Sequence, residues 1–130
     1  MIEFHLDGRS GVAPYMQLIQ QVRRALRLGL LVEGDRLPTV KDVVAKVAIN
    51  PNTVSKAYRE LEYQGLVTAR PGVGTFVART LTDQAQLLAH ESLREELRAW
   101  LDKARAAGLD DESIEAIIAT TVRIPIEEST

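Results

Sequence analysis

From Pro14 to Leu26 the apolar residues Tyr15, Leu18, Ile19, Val22, Ala25 and Leu26 recur three and four positions apart. That spacing puts them on one stripe of an α-helix. Pro14 suits the first helical position and Gly29 a stop. Arg23, Arg24 and Arg27 lie off the stripe and are expected in water. A connector, "LLVEGDRL", carries a turn signal at Gly34-Asp35. A second helix opens at Thr39, where Thr39-Val40-Lys41-Asp42 has the form of a loose capping box. Val43, Val44 and Val47 supply its inward side, and it ends near Ala48. In the third helix Asn50 is a natural N-cap and Pro51 occupies the first turn. Val54, Ala57, Tyr58 and Leu61 follow at i, i+3, i+4 and i+7 and face inward, and Gly65 ends the run.

The period then changes. "LVTAR" and "TFVA" are short β-prone runs around the turn "PGVG", which predicts a hairpin. From about Thr82 the helical period returns. Leu93, Leu97, Trp100, Leu101 and Ala104 line one face of a long helix, and Gly108 breaks it. Asp110 or Asp111 caps a last helix bearing Ile114, Ile117, Ile118 and Val122. Two helices of about 45 residues in all cannot bury their own apolar faces well. Leu93, Leu97, Trp100, Leu101, Ile114, Ile117 and Ile118 are therefore expected to meet the same residues of a second copy about a twofold axis. The alternative is that they fold back on residues 14–78.

The expected fold is mainly α with a small β-hairpin wing: a winged helix-turn-helix domain followed by a two-helix C-terminal dimerisation tail. Residues 1–11 form an extended, exposed N-terminal segment, 12–79 the winged domain, 82–122 the dimerising helices and 123–130 a C-terminal tail.

Composition narrows the function. Apolar residues make up 45% of the chain, enough for a core, and there is no cysteine for disulfides or thiolate metal sites. The N-terminus lacks the basic and long apolar regions of a signal peptide, and no window reaches the roughly 18 apolar residues of a membrane span. A cytoplasmic protein without a membrane partner is expected. Net charge is −2, but it is unevenly spread: residues 1–80 carry eleven Lys and Arg against seven Asp and Glu, and residues 81–130 five against eleven. A basic front joined to an acidic back suits a nucleic-acid module with an interaction tail.

Catalytic chemistry finds no footing. His5 and His90 are the only histidines, and neither pairs with a nucleophile at a recognisable spacing. Glu3, His5 and Asp7 alternate as strand neighbours do, but an exposed segment explains them better than a metal site. Glu95-Glu96 and Asp110-Asp111-Glu112 fit solvated helix faces and helix starts. "PGVG" lacks the Lys-Ser/Thr of a phosphate-binding loop. No enzyme, cofactor or metal is expected.

The third helix carries the candidate chemistry. At about 100° per residue, Asn52, Ser55, Lys56, Arg59 and Tyr63 share the face opposite the buried set. That face holds no acid; Glu60 and Glu62 flank it. Amides, hydroxyls and cations suit phosphates and base edges. A capped helix, a tight turn and a second helix with a cationic outer face form a helix-turn-helix, whose second helix enters the major groove. Asn52 is placed to pair with adenine, and Lys56 or Arg59 with guanine or phosphate. Asn50 stands at the cap of the same helix. The first-turn amides near Thr39 and Lys41 offer an anion site. Arg70, with the backbone of Gly72 and Gly74, brings the hairpin to the sugar-phosphate chain.

The stretch "PYMQLIQQVRRAL…GDRLPTVKDVVAKVAINPNTVSKAYRELEYQGLVTARPGVGTFV", within a likeness that covers residues 12–78, resembles the winged helix of the GntR family of bacterial repressors. "NPNTVSKAYREL" before a short two-helix tail resembles its YtrA-like subfamily. The wording "NPNTV" also occurs in MocR-type regulators, whose aminotransferase-like domain a 130-residue chain cannot hold. The resemblance implies a repressor acting on a double-stranded DNA operator, with control of transporter operons by analogy. It implies DNA contacts at Lys41, Pro51, Asn52, Thr53 and Ser55, and a minor-groove tip at Pro71-Gly72-Val73. Many relatives have arginine where this chain has Pro51, Ser55 and Val73, which lowers the charge of the interface and shifts base reading toward Asn52 and Lys56. Larger relatives bind a metabolite in a C-terminal domain that has no counterpart here, so no small-molecule effector is assigned. The competing expectation is a trihelical protein-interaction module without DNA binding, which needs an apolar patch on the third helix.

Overall fold

The helical and β periods set the element order. Helix α1 spans Pro14–Arg27, α2 Val40–Val47 and α3 Pro51–Tyr63. Strands β1 (Val67–Arg70) and β2 (Gly74–Val77) make the hairpin, and α4 (Gln84–Ala106) and α5 (Asp111–Glu128) follow. This computed structural model describes the backbone of residues 2–128 and the side chains of residues 2–123. The chain divides into two units, Met1–Leu87 and Leu88–Thr130.

In the first unit the apolar stripes of α1, α2 and α3 converge on one core. Leu18, Val22, Leu26, Leu37, Val43, Val54, Leu61 and Leu66 are its most enclosed side chains. Burying a side chain of this size contributes roughly 1.5–3 kcal/mol. The helix ends are closed as their residues dictate. The Thr39 hydroxyl accepts from the Asp42 amide at 3.1 Å, and the Asp42 carboxylate accepts from the Thr39 amide at 3.4 Å. Asn50 Oδ1 accepts from the Asn52 amide at 2.8 Å. The turn between α2 and α3 bends through Ala48 in a left-handed conformation, φ 51° and ψ 47°.

The hairpin pairs Val67 with Val77 and Arg70 with Gly74, so the inward residues Val67 and Val77 close one side of the core. The expected connector contributes a third extended piece. Gly34 N donates to Val77 O, Val77 N to Asp35 O and Leu37 N to Thr75 O, at 2.8–2.9 Å, which sets Arg36 opposite Phe76. The order across this small antiparallel sheet is residues 34–37, β2, β1. Tyr58 ties α3 to the same region: its hydroxyl donates to Pro38 O at 2.6 Å. Burial, and next the Asp42 carboxylate, push the Tyr58 phenol far above its ordinary range.

The N-terminal segment corrects an expectation. It is extended, but Phe4 is buried in the core, with Ile2 and Leu6 packed beside it. Two α1 glutamines, one turn apart, hold its backbone. Gln21 accepts from His5 N and donates to His5 O, and Gln17 does the same for Asp7. Helical residues i and i+4 are about 6 Å apart, close to the span of two extended residues. The glutamine amides thus replace a neighbouring strand.

The second unit is two helices with little core. Only Ala104 and Ile114 are buried among its described hydrophobic residues. Asp110 Oδ1 accepts from the Ser113 amide at 2.8 Å and caps α5. That hydrogen bond holds the exposed Asp110 carboxyl below its ordinary range. The helical backbone continues through residues 123–128, expected as a tail; Ser129 and Thr130 lie outside the described residues, as does Met1.

Candidate nucleic-acid interface

Because Val54, Ala57, Tyr58 and Leu61 are buried, α3 turns its opposite face to solvent. On that face Asn52, Lys56, Arg59 and Tyr63 are exposed and Ser55 is half-buried. Pro51 is exposed and Thr53 half-buried in the first turn. Asn50 is exposed, but its Oδ1 is engaged in capping. At the start of α2, Thr39 is half-buried with its hydroxyl in the capping box, and Lys41 is exposed. In the hairpin Arg70, Pro71, Gly72 and Val73 are all exposed. The predicted residues therefore fall in three places: the first turn of α2, the outer face of α3 and the tip of the hairpin.

Two of the predicted cations have aromatic partners that the linear pattern did not reveal. The Lys56 ammonium stands 3.9 Å from the centroid of the Tyr15 ring. Tyr15 was expected in the α1 core stripe; it is half-buried, with its ring turned toward α3. The Arg70 guanidinium lies 4.9 Å over the Phe76 ring. Such contacts hold a cation in place without neutralising it, at roughly 0.5–1 kcal/mol each in exposed sites. The sequence holds a weak signal for both: an aromatic residue at the start of α1 and another six positions beyond Arg70.

The flanking acids each hold a neutral hydrogen-bond donor and form no ion pair with these cations. Glu62 Oε2 accepts from the Ala69 amide at 2.9 Å, and Glu60 Oε1 from Gln64 Nε2 at 3.1 Å. Arg23 is satisfied by the neutral Gln64 amide at 2.8 Å. Among the described residues there are two ion pairs, Glu95–Arg98 at 3.5 Å and Asp111–Arg105 at 3.8 Å, and both belong to the second unit. The cations of residues 2–87 thus stand without a carboxylate partner among the described residues. An ordinary solvated helix face mixes signs for i, i+4 pairing. A single-sign face instead attracts a dense array of phosphates.

Comparison with known proteins gives the family and the fold. Residues 14–77 match the family described as bacterial regulatory proteins, gntR family. The chain is 33% identical over 109 residues to the HTH-type transcriptional repressor YtrA of Bacillus subtilis (strain 168), covering 84% of each. It is 38% identical over 105 residues to an HTH-type transcriptional regulator of Mycobacterium tuberculosis, covering 80% of this chain and 81% of the relative. Its fold is similar to that of AraR(DBD) solved in complex with operator ORX1, with a TM-score of 0.52 and 25% identity, over 59% of this chain and 96% of that one.

Proposed function

The chain belongs to the GntR family of bacterial regulatory proteins, and from that premise we propose that it is a cytoplasmic repressor that binds a pseudo-palindromic operator in double-stranded DNA as a homodimer. One observation carries the reading: the winged unit presents a face of amides, hydroxyls and cations that, among the described residues, no carboxylate neutralises. Helix α3 enters the major groove. Asn52 reads adenine through N6 and N7, a bidentate match that its amide geometry allows. Arg59 takes a phosphate or a guanine. Lys56, held over Tyr15, reaches a guanine or a phosphate. Thr39 and Lys41 meet a phosphate at the first turn of α2. Pro51, Thr53 and Ser55 pack along the groove wall, Asn50 fixes the helix start, and Arg70 and Gly72 bring the hairpin to the adjacent minor groove.

The second unit supplies the pairing. Leu93 is 59% exposed, Leu97 47%, Ile117 39% and Ile118 37%. Apolar side chains of this size, left in water in number, suit a partner with the same surface. Trp100 and Leu101, half-buried, extend that surface, whereas Ile114, expected on it, is only 4% exposed and is already buried within the unit. Pairing doubles the DNA contacts and sets the half-site spacing. The rival reading, a protein-docking module, needs an apolar patch on α3; the exposed side chains there are Pro51, Asn52, Lys56, Arg59, Glu62 and Tyr63, with Tyr63 the one large ring.

The test is selection of bound duplexes from a random-sequence library. Enrichment of an inverted repeat with fixed spacing is the expected result. Recovery without any shared motif, or retention on DNA that ignores salt, rejects the reading.

A further inference from the structure

The wing has a second cation that neither the helix pattern nor the hairpin signal singles out. Arg36 lies opposite Phe76, and Phe76 lies opposite Thr68. Directly paired residues project to the same side of a sheet, and so do residues two apart on one strand. Arg36, Phe76, Gly74, Thr68 and Arg70 therefore share one face, and Val67 and Val77 share the other, against the core. The shared face contains no acid.

Both arginines on it are positioned. The Arg70 guanidinium lies over the Phe76 ring. The Arg36 side chain reaches along the sheet to Gly74: a Cβ at that position would stand 2.9 Å from Arg36 Nε and 3.4 Å from its Cζ. Gly74 also has φ 147°, a conformation that residues with a side chain rarely adopt. The missing side chain thus leaves a seat for the Arg36 guanidinium beside the turn Pro71-Gly72-Val73. Arg36 is exposed, and among the described residues neither arginine has an ion-pair partner.

We infer that the outer face of the wing is a phosphate-binding surface in which Arg36, seated on Gly74, acts together with Arg70 on the DNA backbone. The inference rests on the DNA-binding reading above and extends it to a residue outside the helix-turn-helix. Two planar guanidiniums, held in place and still charged, present forks of donors that match phosphate oxygens. Contacts of this kind position a protein on duplex DNA irrespective of sequence. The surface can therefore be tested without knowing the operator.

The experiment measures affinity for a mixed-sequence duplex across a range of salt. It uses the full chain and its Arg36→Gln, Arg36→Lys, Arg59→Ala and Arg98→Ala variants, with thermal melting of each. Each phosphate contact contributes about 0.9 to the steepness of the dependence of log affinity on log salt. Arg36→Gln, which keeps most of the stem, is expected to lower that steepness by about one unit and affinity by on the order of tenfold, with unchanged melting. Arg36→Lys restores most of the steepness, and Arg98→Ala on α4 changes neither quantity. If Arg36→Gln binds like the parent while Arg59→Ala weakens binding, the inference fails and the DNA reading stands. If the parent chain shows no salt-dependent binding, both fail.

Discussion

The two units of this chain use apolar residues in opposite ways. In residues 2–87 the apolar stripes of three helices and the inner side of a small sheet meet and vanish from solvent. From residue 88 onward the stripes are as regular in sequence, yet Leu88 is 67% exposed, Leu93 59% and Val122 67%. The difference is geometric. Three helices and a sheet enclose a volume, whereas two helices present faces that need something further to cover them. A periodic pattern specifies a helix and its apolar side; it does not specify what that side meets. Charge divides the same way: among the described residues the cations of the winged unit form no ion pair, and both ion pairs lie on the helical one.

The contrast can be broken most strongly in the core. Leu61 is fully buried, so Leu61→Ala should lower stability by about 2–5 kcal/mol in chemical or thermal unfolding. A loss below that range would mean that the winged unit is not the rigid body it looks to be. The next largest effect belongs to the exposed stripe. Leu97→Asp should leave helix content intact by circular dichroism and convert dimers to monomers in sedimentation, at roughly 2 kcal/mol or more of association energy. Intact dimers would assign the pairing to another surface.

A third change acts on the front unit alone. Asn52→Ala should cost roughly 1–3 kcal/mol at one base position and relax choice there, with dimerisation untouched. An equal loss on every sequence in competition binding would make Asn52 a backbone contact. The smallest effect is at Tyr58. Its phenol has a pKa raised above the ordinary 10.0 by burial and by Asp42, so the folded state holds the proton that the unfolded state releases. Its contribution is fully present below about pH 10 and is lost as pH rises beyond it. Tyr58→Phe should cost about 1 kcal/mol at neutral pH and flatten the alkaline fall in stability. A parent chain as stable at pH 11 as at pH 8 would contradict this.

Local signals explain how much of the architecture was legible. The capping box at Thr39, the Asn50-Pro51 helix start and the Pro-Gly turn each act within four residues, and each is seen where the pattern put it. The polar face of α3 was legible because helical geometry fixes which residues oppose the core. The buried Phe4 was not, because its docking depends on Gln17 and Gln21, which read as ordinary polar residues of an exposed helix face.

By itself, then, the sequence determined the elements, their caps, the inward stripe of each helix and the side chains that α3 shows to solvent. All of these follow from backbone geometry over one or two turns. Tertiary structure alone decided that residues 34–37 join the hairpin, that Tyr15 holds Lys56, that Gly74 seats Arg36 and that the N-terminal segment enters the core. Each of these joins positions far apart along the chain, where contact depends on how packed elements meet in space and leaves no period in the sequence.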